Sequence, residues 1–218
     1  MTSRHAALDE LRGLAVLMVF LSHAANDALL PGWLGGGAGQ MGVQLFFMLS
    51  GFLMLRLYGA RRQTLPAARE FLLARAGRIL PLYWLVLAIS ALAAGAGASV
   101  HYQLADGMAL AAAAGLFVAP QELWSVPVEA QFYLIFLVLW MAVAGRGWRA
   151  ALCWLVPLAL LVAAAFRGGV SELALAPAFA PAFLIGMGLA VLPLPAALGR
   201  GVMPWLALAF IALNLPGA

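Results

Sequence analysis

The chain has 218 residues, of which 66% are hydrophobic and 9% charged, and its formal net charge is +4. A soluble domain carries about 25% charged residues, so this composition excludes a soluble globular protein. The mean hydropathy of +1.02 and several apolar runs that approach the ~20 residues of a membrane span predict an all-α fold. We expect a polytopic bundle of transmembrane helices in a lipid bilayer.

Charge and cysteine content exclude further classes of protein. All basic residues are arginines, and they lie beside apolar runs instead of in a basic, aromatic-rich surface, so we expect no nucleic-acid partner. The single cysteine, Cys153, excludes an intramolecular disulfide and a cysteine-based zinc site, and its apolar neighbours predict a small buried residue. No metal site is predicted. Asp9 and Glu10 precede the first apolar run, which argues against a cleaved signal peptide.

The first span is predicted over Leu11–Leu30 and the second over Met41–Tyr58. The most basic segment of the chain follows and contains Arg56, Arg61, Arg62, Arg69, Arg75 and Arg78. Because basic residues concentrate in cytoplasmic loops, this segment and the N-terminus are expected in the cytoplasm, with Pro31–Gln40 outside.

The middle of the chain is predicted to return outward and then inward. Ala67–Ala76 is predicted as an amphipathic helix at the inner surface, and Ile79–Ala94 as the third span. The apolar run Met108–Ala119 is too short to cross, so we expect an interfacial or re-entrant helix on the outer side. Val126–Ala144 then crosses inward, because its exit, Gly145–Arg149, is basic.

Three further apolar runs complete the chain: Ala150–Phe166, Ala176–Val191 and Val202–Leu215. The last is barely long enough to span, so the prediction is a bundle of six to seven spans. The abrupt end of the chain after an apolar run predicts that the bundle is incomplete at the C-terminus.

The first span carries charge at its entry and an imidazole near its exit. Arg12 and His23 are eleven residues apart, close to three helical turns, so they share one face and lie ~16 Å apart along the axis. Polar groups in a span usually mark chemistry or transport, and imidazole suits proton transfer near neutral pH. The alternative is a histidine that hydrogen-bonds to a neighbouring helix and serves only the packing.

Two arginines open the predicted third span. Arg75 and Arg78 are three residues apart on one helix face and present paired forks to phosphate oxygens. On spacing alone, an ordinary positive-inside anchor is the stronger interpretation.

The segment Leu123–Leu134, LWSVPVEAQFYL, places a carboxylate inside a span. Glu129 is expected about five residues below the outer surface, at a depth similar to that of His23. A carboxylate beside a histidine orients the ring, so the two residues are predicted to pair. In Gly42–Met54, by contrast, the small residues Gly42 and Gly51 predict close helix packing.

Four stretches, in this order and over the first two thirds of the chain, resemble the acyltransferase family 3 membrane proteins: LDELRGLAVLMVFLSHA, GVQLFFMLSGFLM, FLLARAGRILPLYW and LWSVPVEAQFYL. The resemblance implies one acyltransferase domain over residues 1–218, truncated from about ten spans. It implies a bacterial inner-membrane enzyme that moves an acyl group, commonly acetyl, from cytoplasmic acyl-CoA to a hydroxyl of an envelope carbohydrate.

The same resemblance implies roles for individual residues. His23 would be the general base or a transient acyl carrier, oriented by Glu129 or Asp9. The CoA phosphates would be held by Arg75 and Arg78, with help from Arg12. The positions that match the family's Trp-Ser…Glu segment, expected to bind substrate, are Trp124, Ser125, Gln131 and Tyr133. The chain departs from the family pattern at Gln44 and Ala130, where acidic or aromatic residues are familiar.

Two alternatives stay open at this point. A transporter or exporter could use the same buried polar groups as a proton or substrate path, although the chain shows no inverted repeat. A truncated, inactive family member is the second alternative.

Overall fold

The computed structural model describes residues 6–35, 38–102, 104, 106–143, 147–166 and 176–192. This part of the chain is helical and contains no strand, which confirms the predicted all-α class. Its α-helices are α1 (Ala6–Asn26), α2 (Ala38–Tyr58), α3 (Leu65–Gly95), α4 (Gly107–Ala114), α5 (Ser125–Ala142), α6 (Trp148–Phe166) and α7 (Ala176–Val191). The predicted run Val202–Leu215 lies outside the described residues.

Among the described residues, three segments are long and apolar enough to cross a membrane: Gly32–Tyr58, Leu65–Gly95 and Gln121–Ala142. Shorter apolar helices cover Trp148–Leu160 and Phe179–Val191. These segments make the chain a membrane protein, and the count of six to seven spans stays a prediction.

Helix α3 differs from its prediction, because one helix of 31 residues replaces a surface helix followed by a span. Thr64 caps its N-terminus by accepting a hydrogen bond from Ala67 N, and a proline in the first turn is compatible with the helix start. No helix-ending signal follows until Gly95, since Pro81 is accommodated inside the helix. Arg75 therefore lies ten residues inside one continuous helix ~46 Å long.

Helix α4 has eight residues, about 12 Å, so it cannot cross a ~30 Å hydrocarbon core. Asp106 caps it by accepting from Ala109 N at 2.9 Å. Side chains of α3 hold its C-terminus: Tyr83 Oη donates to Ala113 O at 2.9 Å, and Trp84 Nε1 donates to Ala114 O at 3.1 Å. The described residues from Val100 to Trp124 that pack against the second half of α3 are called the cap.

The chain divides into two compact units. Unit 1 comprises Met1–Arg56 and Ala182–Ala218, and unit 2 comprises Leu57–Pro181.

Unit 1 is held together by close approach of helix backbones at glycines. A Cβ at Gly42 would lie 2.7 Å from Ala15 O of α1. A Cβ at Gly51 would collide with the backbone of Phe183 on α7, and a Cβ at Gly186 would collide with the carbonyl of Met48 on α2. Small residues allow this approach, which is how helices associate in lipid. The predicted packing roles of Gly42 and Gly51 are confirmed.

Unit 2 is built on a cluster of aromatic rings, the aromatic cluster, made of Tyr58, Phe71, Tyr133, Phe136, Trp140 and Trp148. Phe71, Phe136 and Trp140 are fully buried. The start of α6 is tied to the end of α2, because Trp148 Nε1 donates to Gly59 O at 3.2 Å.

Cys153 corrects a second prediction, because its side chain is exposed on α6 and not buried. The helix is apolar on every side, so its sequence does not indicate which face packs inward. In a lipid environment an exposed apolar position carries no penalty.

The glycine contacts of α7 predict opposite effects for two substitutions two residues apart. Gly186→Ala forces α7 away from the Met48 carbonyl and should destabilise the protein by about 1–3 kcal/mol. At Gly188 a Cβ meets nothing within 4 Å, so Gly188→Ala should be neutral or stabilise by about 0.5–1 kcal/mol through helix propensity. Thermal unfolding of the detergent-solubilised variants measures both, and equal midpoints would contradict the packing.

Candidate functional site

Helix α1 carries the predicted catalytic histidine and separates it from Asp9. Asp9 Oδ1 lies 3.6 Å from Arg12 Nη1, one turn away on the partly exposed start of the helix. His23 lies half-buried in the last turn, next to the buried Ser22. Because α1 is continuous, 14 residues place Asp9 about 21 Å from His23 along the axis. Asp9 therefore cannot orient His23, and its partner in the structure is Arg12.

Arg75 is the cation around which unit 2 is organised. Its Cζ lies 5.8 Å from the ring centroid of Tyr58 and 5.8 Å from that of Tyr133. Within the described part of the chain, Arg75 Nε is buried and has no hydrogen-bond partner. Aromatic faces attract a cation through their quadrupole without using its N–H groups. The guanidinium is thus held by ring contacts while a buried donor is left for a ligand oxygen.

A carboxylate lies on the other side of Tyr133. Tyr133 Oη donates to Glu129 Oε1 at 2.6 Å, across one turn of α5. This distance is typical of a hydroxyl that donates to an ionised carboxylate. One phenol therefore contacts the cation through its ring and the carboxylate through its hydroxyl.

The register of α3 against α5 explains why Arg75 and Glu129 both lie beside Tyr133. The helices run antiparallel, because Phe71 contacts Phe136 and Arg75, further along α3, contacts Tyr133, which is earlier on α5. Val126, at the start of α5, packs against the cluster that contains Tyr83, and Glu129 lies between Val126 and Tyr133 along α5. The sequence prediction placed the arginines and Glu129 near opposite membrane surfaces. The structure brings them together, because α3 continues about 18 Å past Tyr83, beyond the start of α5.

Phe71 fixes both tyrosine rings. It meets Tyr58 edge-on at 4.9 Å between centroids and an angle of 84°, and Tyr133 at 6.2 Å and 83°. Phe71 and Arg75 are four residues apart on α3, so the two side chains share one helix face. Tyr58 and Phe71 are candidate site residues that the sequence analysis missed, and the i, i+4 spacing from Phe71 to Arg75 is the signal that could have indicated one of them.

The other predicted binding residues have separate surroundings. Arg78 is exposed on α3, one turn beyond Arg75. The Trp124 ring lies 4.7 Å from that of Phe179, and Ser125 begins α5. Gln131 Nε2 donates to Leu116 O at 2.8 Å and so ties α5 to the cap. Their roles in substrate binding stay predictions, as does the pairing of His23, in unit 1, with Glu129, in unit 2.

The cap presents a titratable cluster of its own. His101 Nε2 lies 3.0 Å from Glu122 Oε2, and Tyr102 Oη donates to the same oxygen at 3.4 Å. Burial, and then the charge and hydrogen bond of Glu122, raise the pKa of Tyr102 above its usual value.

The chain is similar to a known protein family and to a named relative. A family model for an acyltransferase domain, that of acyltransferase family 3, matches residues 5–218. The chain is also similar to the exopolysaccharide production protein ExoZ of Rhizobium meliloti (strain 1021), with 36% identity over 137 residues. That similarity covers 57% of this chain and 41% of the relative. No solved structure matches the chain.

The Tyr102–Glu122 contact predicts a pH dependence. Because the pKa of Tyr102 is raised in the folded state, its stabilising effect is complete below the ordinary tyrosine pKa of about 10 and is lost as the pH rises through the folded value. Tyrosinate absorbance should show a late step that Tyr102→Phe removes and Glu122→Gln moves to lower pH. Ionisation of Tyr102 at the ordinary value would contradict the contact.

Proposed function

This chain belongs to acyltransferase family 3 and is a membrane acyltransferase, and from this premise we propose that it moves an acyl group, acetyl in the simplest case, from acyl-CoA to a hydroxyl of an envelope carbohydrate. The observation that supports the donor is the unpartnered Nε of Arg75 between two tyrosine rings. The support for the acceptor is the name of the relative, an exopolysaccharide production protein.

Arginine suits the acyl donor because CoA carries phosphate groups. A guanidinium stays charged at all relevant pH values and offers a planar fork to phosphate oxygens. In the proposal Arg75 supplies a buried, oriented donor, Arg78 an exposed cation one turn away, and Arg12 a third cation for the same nucleotide. The basic segment that contains Arg75 and Arg78 is proposed to face the cytoplasm, where acyl-CoA is made, in a bacterial inner membrane with the N-terminus cytoplasmic.

The proposed reaction is a nucleophilic acyl substitution. His23 takes the proton from the acceptor hydroxyl, and the resulting oxygen attacks the carbonyl carbon of the thioester. The new C–O bond forms, the C–S bond breaks, and CoA leaves as a thiolate that takes up a proton. Glu129 is proposed as the carboxylate that stabilises the protonated imidazole.

Membranes that contain the chain, incubated with labelled acetyl-CoA, test this proposal. His23→Ala should lower the rate of label transfer to a carbohydrate acceptor by at least about 10²-fold, because the general base is lost. Arg75→Ala should raise the KM for acetyl-CoA about tenfold or more, because a charge-assisted hydrogen bond is worth about 1.5–3 kcal/mol.

Two matched variants serve as controls. His101→Ala removes a histidine of the cap, and Arg69→Ala removes an exposed arginine of α3 outside the aromatic cluster, so both should retain transfer. Substrate flux across the membrane without covalent change would favour a transporter instead. Undiminished transfer by His23→Ala would refute the role of the histidine.

A further inference from the structure

We propose that Tyr133 is a positioning residue that joins Arg75 and Glu129 into one reaction site, and that Tyr58 is the opposite wall of the arginine. The proposal rests on the acyltransferase function above and deepens it, because it makes donor binding and the carboxylate parts of one site. Neither tyrosine need touch the reacting atoms, since each acts through the group that it holds.

The Tyr133 side chain makes two contacts with two different groups. Its ring contacts Arg75 and its hydroxyl donates to Glu129. Tyr133 is 4% exposed, so its side chain is held in place by the surrounding protein. A movement of Tyr133 would therefore displace the cation and the carboxylate together.

The guanidinium of Arg75 contacts the rings of two tyrosines. Tyr58 and Tyr133 both lie at 5.8 Å from Arg75 Cζ, and Phe71 holds both rings edge-on. Ring faces attract the guanidinium charge without using its N–H groups. The two rings thus hold the cation while its buried Nε keeps a hydrogen for a bound oxygen.

The antiparallel arrangement of α3 and α5 brings both groups to one phenol. The Tyr133 ring centroid lies 5.8 Å from Arg75 Cζ, and the Tyr133 hydroxyl lies 2.6 Å from Glu129 Oε1. The donor held by Arg75 would then present its groups beside Glu129, and one phenol would keep the distance between them.

Substitutions separate the two contacts of Tyr133. Tyr133→Phe keeps the ring against Arg75 and loses the hydroxyl on Glu129, so kcat should fall about tenfold while the KM for acetyl-CoA and the affinity for CoA stay the same. Tyr133→Leu loses both contacts and should change both parameters. In a Glu129→Gln background, Tyr133→Phe should have no further effect on kcat, because the carboxylate that it positions is gone.

Substitutions of Tyr58 should change the binding of the acyl donor. Tyr58→Leu should raise the KM for acetyl-CoA and weaken CoA binding about tenfold, and Tyr58→Phe should restore both because it retains the ring. Tyr83→Phe is the matched control: it removes a buried tyrosine hydroxyl from α3 at the cap and should leave kcat and KM unchanged. CoA binding is measured by calorimetry on the solubilised protein, without any transfer step.

The outcomes distinguish this inference from the function on which it rests. If the unchanged chain transfers no acyl group and binds no CoA, the proposed function fails. If it transfers normally but Tyr133→Phe matches it in kcat, or if the effects of Tyr133→Phe and Glu129→Gln simply add, the positioning role is refuted and the function stands. A fall in kcat that is absent from the Glu129→Gln background supports the role.

Discussion

A permanent positive charge inside a long apolar helix is the constraint on which unit 2 depends. Arg75 cannot lose its proton, and an isolated charge removed from water is costly. The ring faces of Tyr58 and Tyr133 stabilise this charge, and Phe71 fixes both rings. Because ring contacts satisfy the charge without occupying all the N–H groups, the arrangement stabilises the cation and still favours an oxygen ligand.

Unit 1 depends on a different interaction, because its helices are apolar on most sides and must still associate. Lipid tails are as apolar as the helices, so burial of apolar surface provides no net attraction in a bilayer. Gly51 and Gly186 instead let α2 and α7 touch backbone to backbone. The rings of Phe47 and Phe183 stack at 4.6 Å beside this contact. Small residues and stacked rings therefore provide the packing that hydrophobicity supplies in soluble proteins.

The sequence was sufficient for the class, for most helices and for the motif residues. It predicted α5, α6 and α7 within a few residues, because their apolar runs are bounded by Gly, Pro or charge. It divided α3 into a surface helix and a separate span, although nothing between Ala76 and Ile79 ends the helix. It also missed Tyr58 and Phe71, because aromatic residues in an apolar chain give no signal of which partners they meet.

The proximity of Glu129 to Arg75 through Tyr133 shows why residue counting fails for a site. Counting from the nearest loop assumes that neighbouring helices end at one plane, but α3 continues well past the start of α5. The resulting register places the phenol of Tyr133 between a cation and a carboxylate that would otherwise attract one another directly. A direct bidentate pair would occupy both the guanidinium fork and the carboxylate oxygens. A phenol between them contacts both groups and so fixes the position of one relative to the other. It leaves the N–H groups of the guanidinium available to a ligand.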